Sequence, residues 1–376
     1  MKILFAPDKF KGSISAVGVC EALRRGWTRI DPDVEIGVAP IADGGEGFTE
    51  ALGVGLGGRW VEVETEDPLG RTILGRYAWM EVTQTAVLEM SEASGLWRVG
   101  SNERDPERAN TAGTGRLMRD AIGRGARRIL VGLGGSATTD GGMGMASALG
   151  CRFWDEAGAE LRPFPSELAK VVRVDLSERL ALPEVIAACD VQNPLLGKRG
   201  TAAVFAPQKG ADAAMVSVLE DGLRNFSNRV AQALGRDFAE VPGVGAAGGL
   251  GFGLVAFCGA RLQGGFDLVA EALELEGRMA GVDLVVTGEG RLDGQTLEGK
   301  GPAGVAAMAR RLNKPVIAFA GSVEESAAVR ERFDAVVPIV DRAMSLEEAM
   351  RDSAVLLERA AERTARLWQV ALRGAG

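Results

Sequence analysis

Short apolar runs alternate with amphipathic segments over the first sixty residues. Residues 2–6 and 35–41 have the length and composition of buried strands. Between them, Ser15 can cap a helix whose apolar side chains recur at helical spacing: Val19, Leu23, Trp27 and Ile30. Residues 48–56 follow as a second helical segment. The order strand, helix, strand, helix predicts a parallel sheet covered by helices.

The same rhythm returns near residue 282. The predicted strands here are 282–286, 315–320 and 335–340. A helix is predicted over 302–312, and Ser345 with Glu348 has the form of a capping box that starts the last helix. The similar rhythm at both ends of the chain indicates one discontinuous domain, residues 1–62 with 282–376.

The middle of the chain follows a different pattern. Residues 60–65 alternate between apolar and polar positions, and further strand candidates lie at 76–80, 86–90 and 185–188. A long helix with apolar residues at helical spacing stops at Gly235. We therefore expect a mixed-sheet α/β domain, residues 63–281, inserted into the first.

Composition narrows the class of protein. The chain has 376 residues, 46% hydrophobic, and its 52 glycines cluster at the ends of apolar runs, as in α/β enzymes of two domains. A net charge of −8 with both signs interspersed argues against nucleic acid or an anionic membrane as a partner. Four scattered cysteines without a CxxC pair, a short apolar start and no run of about 20 apolar residues favour a cytoplasmic protein.

The chain contains no histidine, so acid–base chemistry has to use carboxylates, lysines or bound water. Within residues 129–142, an apolar run breaks into glycines, hydroxyl groups and one carboxylate, before a helical segment at 143–149. Glycine amides followed by a helix N-terminus can hold an anion, and a tight turn is the alternative reason for the glycines. The expected cradle is Gly134, Gly135, Ser136, Ala137 and Thr138.

Polar residues follow the other predicted strands as well. Ligands of an open parallel sheet bind beyond the carboxyl ends of its strands. In the first domain this edge carries Asp8, Lys9, Lys11, Asp43, Gly44, Gly45, Glu46, Glu289, Asp293, Gly321 and Ser322. The middle domain offers the cradle together with Asp190 and Asn193. Each of these residues alone could belong to a turn or a helix cap, and a lysine such as Lys300 could be a solvated surface residue. Together they indicate a binding site in a cleft between domains.

These residue types suit phosphoryl transfer. Carboxylates can hold a divalent metal, while lysines and glycine amides can bind phosphate oxygens. The reaction is catalysed mainly by positioning and charge neutralisation, and a carboxylate near the acceptor hydroxyl can take its proton. Mg²⁺ is the expected metal, because it binds one or two carboxylates together with nucleotide phosphates.

Seven blocks in order over nearly the whole chain resemble the bacterial glycerate kinase family of the class-one type. They are Ala6-Pro7-Asp8 with Phe10-Lys11-Gly12-Ser13, Ala42-Asp43-Gly44-Gly45-Glu46-Gly47, Gly132-Leu133-Gly134-Gly135-Ser136-Ala137-Thr138, Ala188-Cys189-Asp190-Val191 with Asn193-Pro194-Leu195, Pro207-Gln208-Lys209-Gly210-Ala211, Gly245-Ala246-Ala247-Gly248-Gly249-Leu250-Gly251, and Thr287-Gly288-Glu289-Gly290-Arg291-Leu292-Asp293. The resemblance implies ATP-dependent phosphorylation of D-glycerate, usually to 2-phosphoglycerate. It also implies two α/β domains, the first flavodoxin-like and discontinuous.

Three positions depart from the usual pattern of that family. Lys9 stands where Ser is common, Thr139 where Asn is common, and Glu298 where His often precedes Gly299-Lys300. The last departure puts in doubt any role for a side chain at position 298.

We expect Lys11 and Lys300 to contact phosphate or the glycerate carboxylate. The Gly134–Thr138 loop would hold one anionic group, either of the nucleotide or of glycerate. Asp190 and Asp293 are the candidates for Mg²⁺ binding or the general base, with Asp43 and Glu289 behind them. A kinase of another small hydroxy acid or sugar acid is the alternative enzyme, and a non-catalytic protein that binds organic anions is the alternative outside catalysis.

Overall fold

The computed structural model describes residues 1–294, 301–324 and 326–374, and the chain divides into two compact units. The first contains Met1–Asp43, Glu50–Gly57 and Phe266–Gly376, and the second contains Gly44–Thr49 and Gly58–Gly265. In the described part of the chain, no helix has both the length and the apolar character that a membrane crossing requires.

The strands are β1 (Lys2–Phe5), β2 (Glu35–Val38), β3 (Arg59–Glu66), β4 (Thr72–Met80), β5 (Thr85–Glu89), β6 (Arg128–Gly132), β7 (Arg152–Trp154), β8 (Arg173–Asp175), β9 (Glu184–Ala188), β10 (Arg261–Gln263), β11 (Leu284–Leu292), β12 (Val316–Val323) and β13 (Ala335–Pro338). The α-helices are α1 (Ala16–Thr28), α2 (Phe48–Gly55), α3 (Ser91–Ser94), α4 (Ala112–Gly123), α5 (Met143–Ala148), α6 (Thr201–Phe205), α7 (Ala213–Leu234), α8 (Ala246–Cys258), α9 (Gly265–Ala272), α10 (Leu275–Ala280), α11 (Pro302–Arg311), α12 (Ala327–Arg332), α13 (Leu346–Arg351) and α14 (Ser353–Gly374). Short 3-10 helices lie at Leu96–Arg98, Pro165–Lys170 and Pro207–Lys209.

The first unit is built on a parallel sheet of order β13-β12-β11-β1-β2. Numbered by their order within this unit, the strands run 2-1-3-4-5, which is the flavodoxin-like arrangement. The prediction of a discontinuous flavodoxin-like domain is therefore confirmed. Helices α1 and α14 pack together on the sheet, and their buried side chains, among them Trp27 and Leu357, join Phe5 and Phe319 in one core.

The second unit has a mixed sheet of order β10-β9-β6-β5-β4-β3. Strands β10, β9, β6 and β5 are parallel, whereas β4 and β3 pair antiparallel at one side. The predicted mixed α/β domain is confirmed by this sheet. Its core contains an aromatic cluster of Phe153, Phe226, Phe252 and Phe257.

Predicted helix boundaries agree with local capping. The Oγ of Ser15 accepts a hydrogen bond from Gly18 N–H at the start of α1, and Gly235 ends α7 with φ of 69°. Ser345 caps a helix too, but that helix ends at Arg351 and the final helix α14 is separate. The Glu348 carboxylate binds Arg342, whereas its backbone N–H donates to Ser345.

Two predicted strands are longer than expected. The segment Thr287–Gly290, which lies beyond the predicted strand end at residue 286, stays in β11, and β12 continues through Gly321-Ser322 to Val323. Glu289 pairs with Ala320 and Leu292 with Val323, so each strand supplies the other with backbone partners. This pairing keeps a glycine-rich sequence extended, although the local sequence is typical of a turn.

The boundaries of the two units differ from the predicted domain boundaries, which gave residues 1–62 with 282–376 to one domain and 63–281 to the other. Helix α10 belongs to the first unit, where Arg278 donates hydrogen bonds to the carbonyl oxygens of Val38 (3.1 Å) and Gly55 (2.9 Å). Residues Gly44–Thr49 belong to the second unit, although they follow β2 of the first.

Candidate active site

In the first unit, the predicted residues after β1 and β11 share one edge of the sheet. The backbone N–H of Asp8 donates to the carbonyl oxygen of Gly288 (2.8 Å), beside Glu289. A Cβ at Gly290 would lie 3.4 Å from the backbone nitrogen of Lys11. The structure therefore brings Asp8, Lys11 and Glu289 to the carboxyl edge where this fold binds ligands.

Asp8, Lys9 and Asp43 form a cluster on that edge. The Nζ of Lys9 lies 3.8 Å from Oδ1 of Asp8 and 3.5 Å from Oδ1 of Asp43, whose side chain is 50% exposed. The backbone N–H of Lys9 also donates to Oδ1 of Asp8 (2.6 Å). Burial raises the pKa of Asp8 to about 6, against the opposing charge of Lys9. Asp8 can therefore exchange a proton near neutral pH.

The remaining predicted residues of the first unit differ in their surroundings. Lys11 is exposed in the tight turn after β1. Asp293 lies just beyond β11, and its carboxylate pairs with Nε of Arg291 (3.1 Å). Lys300, with Glu298 and Gly299, lies outside the described residues.

In the second unit, the carboxyl ends of four parallel strands also meet at one edge. Glu89 is the last residue of β5. The glycine loop follows β6, Asp190 follows β9 and Gly265 follows β10. The backbone N–H of Gly265 donates to Oδ1 of Asp190 (3.0 Å). Because β6 and β9 are neighbouring parallel strands, the glycine loop and Asp190 follow adjacent strand ends. The side chain of Asn193 forms a hydrogen bond within its own loop, in which Nδ2 donates to the carbonyl oxygen of Arg199 (2.7 Å).

The glycines of this edge allow two backbone segments to lie in contact. A Cβ at Gly134 would lie 2.5 Å from the Cα of Gly45, and one at Gly132 would lie 2.6 Å from the carbonyl oxygen of Gly44. Gly44 itself has φ of 82°. Close packing therefore explains these glycines, and it places the predicted residues Gly44 and Gly45 against the loop. Glu46, two residues after Gly44, is exposed.

The middle of the loop presents backbone donors. Leu133 N–H donates to Ala188 and Ala137 N–H donates to Ser94, which anchors the loop on both sides. Between these anchors, the N–H groups of residues 134–136 have no acceptor among the described residues. Such a row of amides suits an anion, and the cradle over Gly134–Thr138 stays a prediction.

Asp140, the carboxylate of the same segment, is a buried structural residue. It accepts hydrogen bonds from the hydroxyl of Thr111 (2.7 Å) and from the N–H groups of Thr111 (2.8 Å), Gly142 (3.1 Å) and Gly144 (3.0 Å). Burial raises its pKa, and these donors oppose the shift. The carboxylate of Asp140 therefore binds the amides at the N-terminus of α5. These amides are not available to a ligand, so the helix N-terminus is not part of the expected anion cradle.

Sequence reasoning did not select two ionisable residues beside this edge, the half-buried Glu89 and the buried Lys209. Glu89 ends β5, and burial raises its pKa to about 7 although Thr49 N–H donates to Oε1 (2.9 Å). Lys209 donates from Nζ to Oγ of Ser136 (2.8 Å) and to the carbonyl oxygen of Thr138 (2.5 Å), and burial lowers its pKa to about 7. The signals in the sequence were a glutamate at the end of an apolar run and, for Lys209, its place in the block Pro207-Gln208-Lys209-Gly210-Ala211.

Within the described ranges, no three His, Cys, Asp or Glu side chains converge in a group that could hold a metal ion alone. A Mg²⁺ ion that arrives with nucleotide phosphates needs only one or two carboxylates. Asp190, whose Oδ1 accepts the Gly265 hydrogen bond, is a carboxylate at this edge of the second unit.

Comparison with known proteins gives a consistent result. A family model described as the glycerate kinase family matches residues 3–369. The chain is 43% identical over 366 residues to glycerate kinase of Bacillus subtilis (strain 168), with 96% of each chain covered. It is 40% identical over 381 residues to glycerate 2-kinase of Escherichia coli (strain K12), with 100% of each chain covered. A crystal structure assigned as glycerate kinase 2 from Salmonella typhimurium LT2 aligns with a TM-score of 0.90 at 41% identity, over 99% of each chain.

Proposed function

The chain belongs to the glycerate kinase family, and we propose that it transfers the γ-phosphoryl group of ATP to a hydroxyl of D-glycerate, with 2-phosphoglycerate as the favoured product. The observation that carries this proposal is the end-to-end similarity to glycerate kinases, including the Escherichia coli glycerate 2-kinase. The expected location in the cytoplasm and in a cleft between the domains stays a prediction from the sequence.

The two polar strand edges supply the parts that the reaction needs. Phosphoryl transfer depends on positioning and on neutralising charge on the transferred group. In the second unit, the amides of residues 134–136 can bind an oxyanion, with Ser136 and Thr138 beside them. In the first unit, Lys11 stands at the carboxyl edge of the sheet, and we assign it, with Lys300, to phosphate or to the glycerate carboxylate.

We assign Mg²⁺ binding to Asp190 and Asp293, where the ion would neutralise charge on the nucleotide phosphates. The attacking hydroxyl of glycerate must lose its proton to a nearby base. Asp190 and Asp293 are candidates for that base too. Asp8 is a further candidate supported by the structure, because its raised pKa of about 6 lies near the working pH.

A substrate panel separates this proposal from its alternatives. ADP release would be followed at fixed ATP with D-glycerate, tartronate and glucarate-derived acids. The proposal predicts the highest kcat/KM with D-glycerate. A higher kcat/KM with another acid would identify a kinase of a different hydroxy acid or sugar acid. Binding of an acid with no ADP release in the presence of any of the acids would indicate a non-catalytic anion-binding protein.

A further inference from the structure

Lys209 is a lysine buried behind the glycine loop. Its side chain is 1% exposed, and its Nζ donates hydrogen bonds to two oxygens of the loop, Ser136 Oγ and Thr138 O. Both acceptors are neutral. Among the ion pairs found in the described ranges, none involves Lys209. A lysine is rarely buried completely unless a charged partner accompanies it.

The charges around Lys209 do not supply that partner by direct contact. Asp140 attracts the ammonium group, but its carboxylate already accepts four hydrogen bonds from the backbone and Thr111. Arg104, from another segment, donates to the carbonyl oxygen of Gln208 (3.0 Å). In helix α8, Gly248 lies against Lys209, because a Cβ at this glycine would lie 3.0 Å from Nζ. As a result, burial dominates and the pKa of Lys209 falls to about 7.

The loop in front of Lys209 is rich in donors. The N–H groups of residues 134–136 have no acceptor within the described part of the chain. The Oγ of Ser136 accepts a hydrogen bond from Lys209, which leaves its own O–H available for donation. The hydroxyls of Thr138 and Thr139 are buried in the same segment, and no hydrogen-bond partner for them lies among the described residues. The loop therefore presents amides and a hydroxyl that have no acceptor within the described residues, and the buried Lys209 lies behind them.

We infer that Lys209 is a positioning residue whose charge, acting through Ser136 and Thr138, stabilises an oxyanion bound at the amides of Gly134, Gly135 and Ser136. The oxyanion is a carboxylate or a phosphate, and only its assignment to D-glycerate or to ATP rests on the proposed function.

This arrangement couples ligand binding to proton uptake. An anion at the loop favours the charged form of Lys209 and raises its pKa in the complex. Above pH 7 the free protein holds Lys209 largely neutral, so binding takes up a proton from the buffer. The affinity should therefore fall by up to about tenfold per pH unit above pH 7 and level off below it.

The test is isothermal titration at pH 7.5 with three probes: D-glycerate, the non-hydrolysable ATP analogue AMP-PNP, and inorganic phosphate. Titration in buffers of different ionisation enthalpy gives the number of protons taken up. Since Asp8 and Glu89 also titrate near neutral pH, the decisive quantity is the difference between the wild type and Lys209→Met. We expect the variant to lose the proton uptake and to bind one substrate-derived probe about tenfold or more weakly.

Two further variants keep the test decisive. Lys170→Met removes an exposed lysine of the same unit that pairs with Glu167 (3.1 Å), and it should change neither the proton uptake nor the affinity. Ser136→Ala removes the hydroxyl between Lys209 and the anion, and it should lower the affinity for the same probe even if Lys209→Met does not fold. The probe whose affinity falls identifies the source of the oxyanion.

The inference is overturned if Lys209→Met takes up as many protons as the wild type. It is also overturned if neither Lys209→Met nor Ser136→Ala weakens any probe, or if no probe binds the wild type. The proposed function can fail separately. If AMP-PNP or phosphate binds with proton uptake but no ADP is released from ATP in the presence of D-glycerate, the role of Lys209 stands and the assignment of glycerate as the substrate does not.

Discussion

The backbone N–H of Thr49 donates a hydrogen bond of 2.9 Å to Oε1 of Glu89. Thr49 is the second residue of α2 and Glu89 is the last residue of β5, so the contact ties residues Gly44–Thr49 to the sheet of the second unit. Ser91 adds a longer hydrogen bond of 3.4 Å from its hydroxyl to Oε2. These contacts and a hydrogen bond from the backbone of Gly47 oppose the shift, but burial is the larger effect and raises the pKa of Glu89.

Glu89 should make stability depend on pH. Its pKa is raised from an ordinary value of 4.5 to about 7, so the folded state binds more protons than the unfolded state between these values. Its contribution is present below pH 4.5 and is lost as the pH rises through 7. The wild type should lose roughly 3 kcal/mol relative to Glu89→Gln between pH 4.5 and 8, as measured by urea unfolding. Glu62→Gln, at an exposed position of β3, should follow the wild type; equal pH dependence of Glu89→Gln and the wild type would refute the assignment.

Gly134→Ala should disturb the contact between the two backbone segments. The new Cβ would lie 2.5 Å from the Cα of Gly45, so one segment has to move. We expect a loss of about 1–3 kcal/mol in stability, as for other overpacked sites, together with weaker binding of whichever ligand the loop holds. Gly123→Ala is the matched control, since nothing lies within 4 Å of its Cβ position and it stands at the end of α4. Unchanged melting and binding in Gly134→Ala would contradict the close approach.

Asp140→Asn should destabilise the fold itself. An amide at this position would direct N–H groups toward donors of Thr111, Gly142 and Gly144, which now bind the carboxylate. Leaving buried donors unpaired costs about 1–3 kcal/mol each. Thr111→Val removes a smaller part of the network and should be less destabilising. Thermal melting of both variants checks this order, and a fully stable Asp140→Asn with reduced turnover would instead place Asp140 in the reaction.

Much of the fold could be predicted because its elements carry local signals. The apolar run before Pro7, the cap at Ser15 and the stop at Gly235 all produce their structure from neighbouring residues. The segment Thr287–Gly290 lies beyond the predicted end of its strand, and it is held in β11 by pairing with β12 and by the hydrogen bond from Asp8 N–H to the carbonyl oxygen of Gly288. Likewise, nothing in the sequence near Gly44–Thr49 shows that Glu89, forty positions away, binds this segment.

The candidate site was predictable in outline for a similar reason. The carboxyl ends of neighbouring parallel strands lie at the same edge, so Asp8 and Glu289 share the edge of the first sheet, and the glycine loop and Asp190 share that of the second. Burial, however, is a tertiary property. Asp140 and Lys209 look in sequence like solvated residues of loops, and only the packing shows that one is an internal anchor and the other an internal cation.

Asp190→Asn and Asp293→Asn should each retain the fold and lose turnover. If either carboxylate binds Mg²⁺ or accepts the proton of glycerate, kcat should fall by about 10²–10⁴. Steady-state kinetics with circular dichroism would be compared with Asp221→Asn in the second unit and Asp33→Asn in the first, both at exposed positions. Near-wild-type turnover in both Asp190→Asn and Asp293→Asn would exclude the proposed carboxylate roles.

The most direct measurement of the central proposal is a coupled ADP-release assay with D-glycerate and MgATP, followed by NMR of the phosphorylated product. The account predicts ADP release that depends on D-glycerate, with 2-phosphoglycerate as the main product. ADP release no higher than that of a reaction without D-glycerate would contradict it.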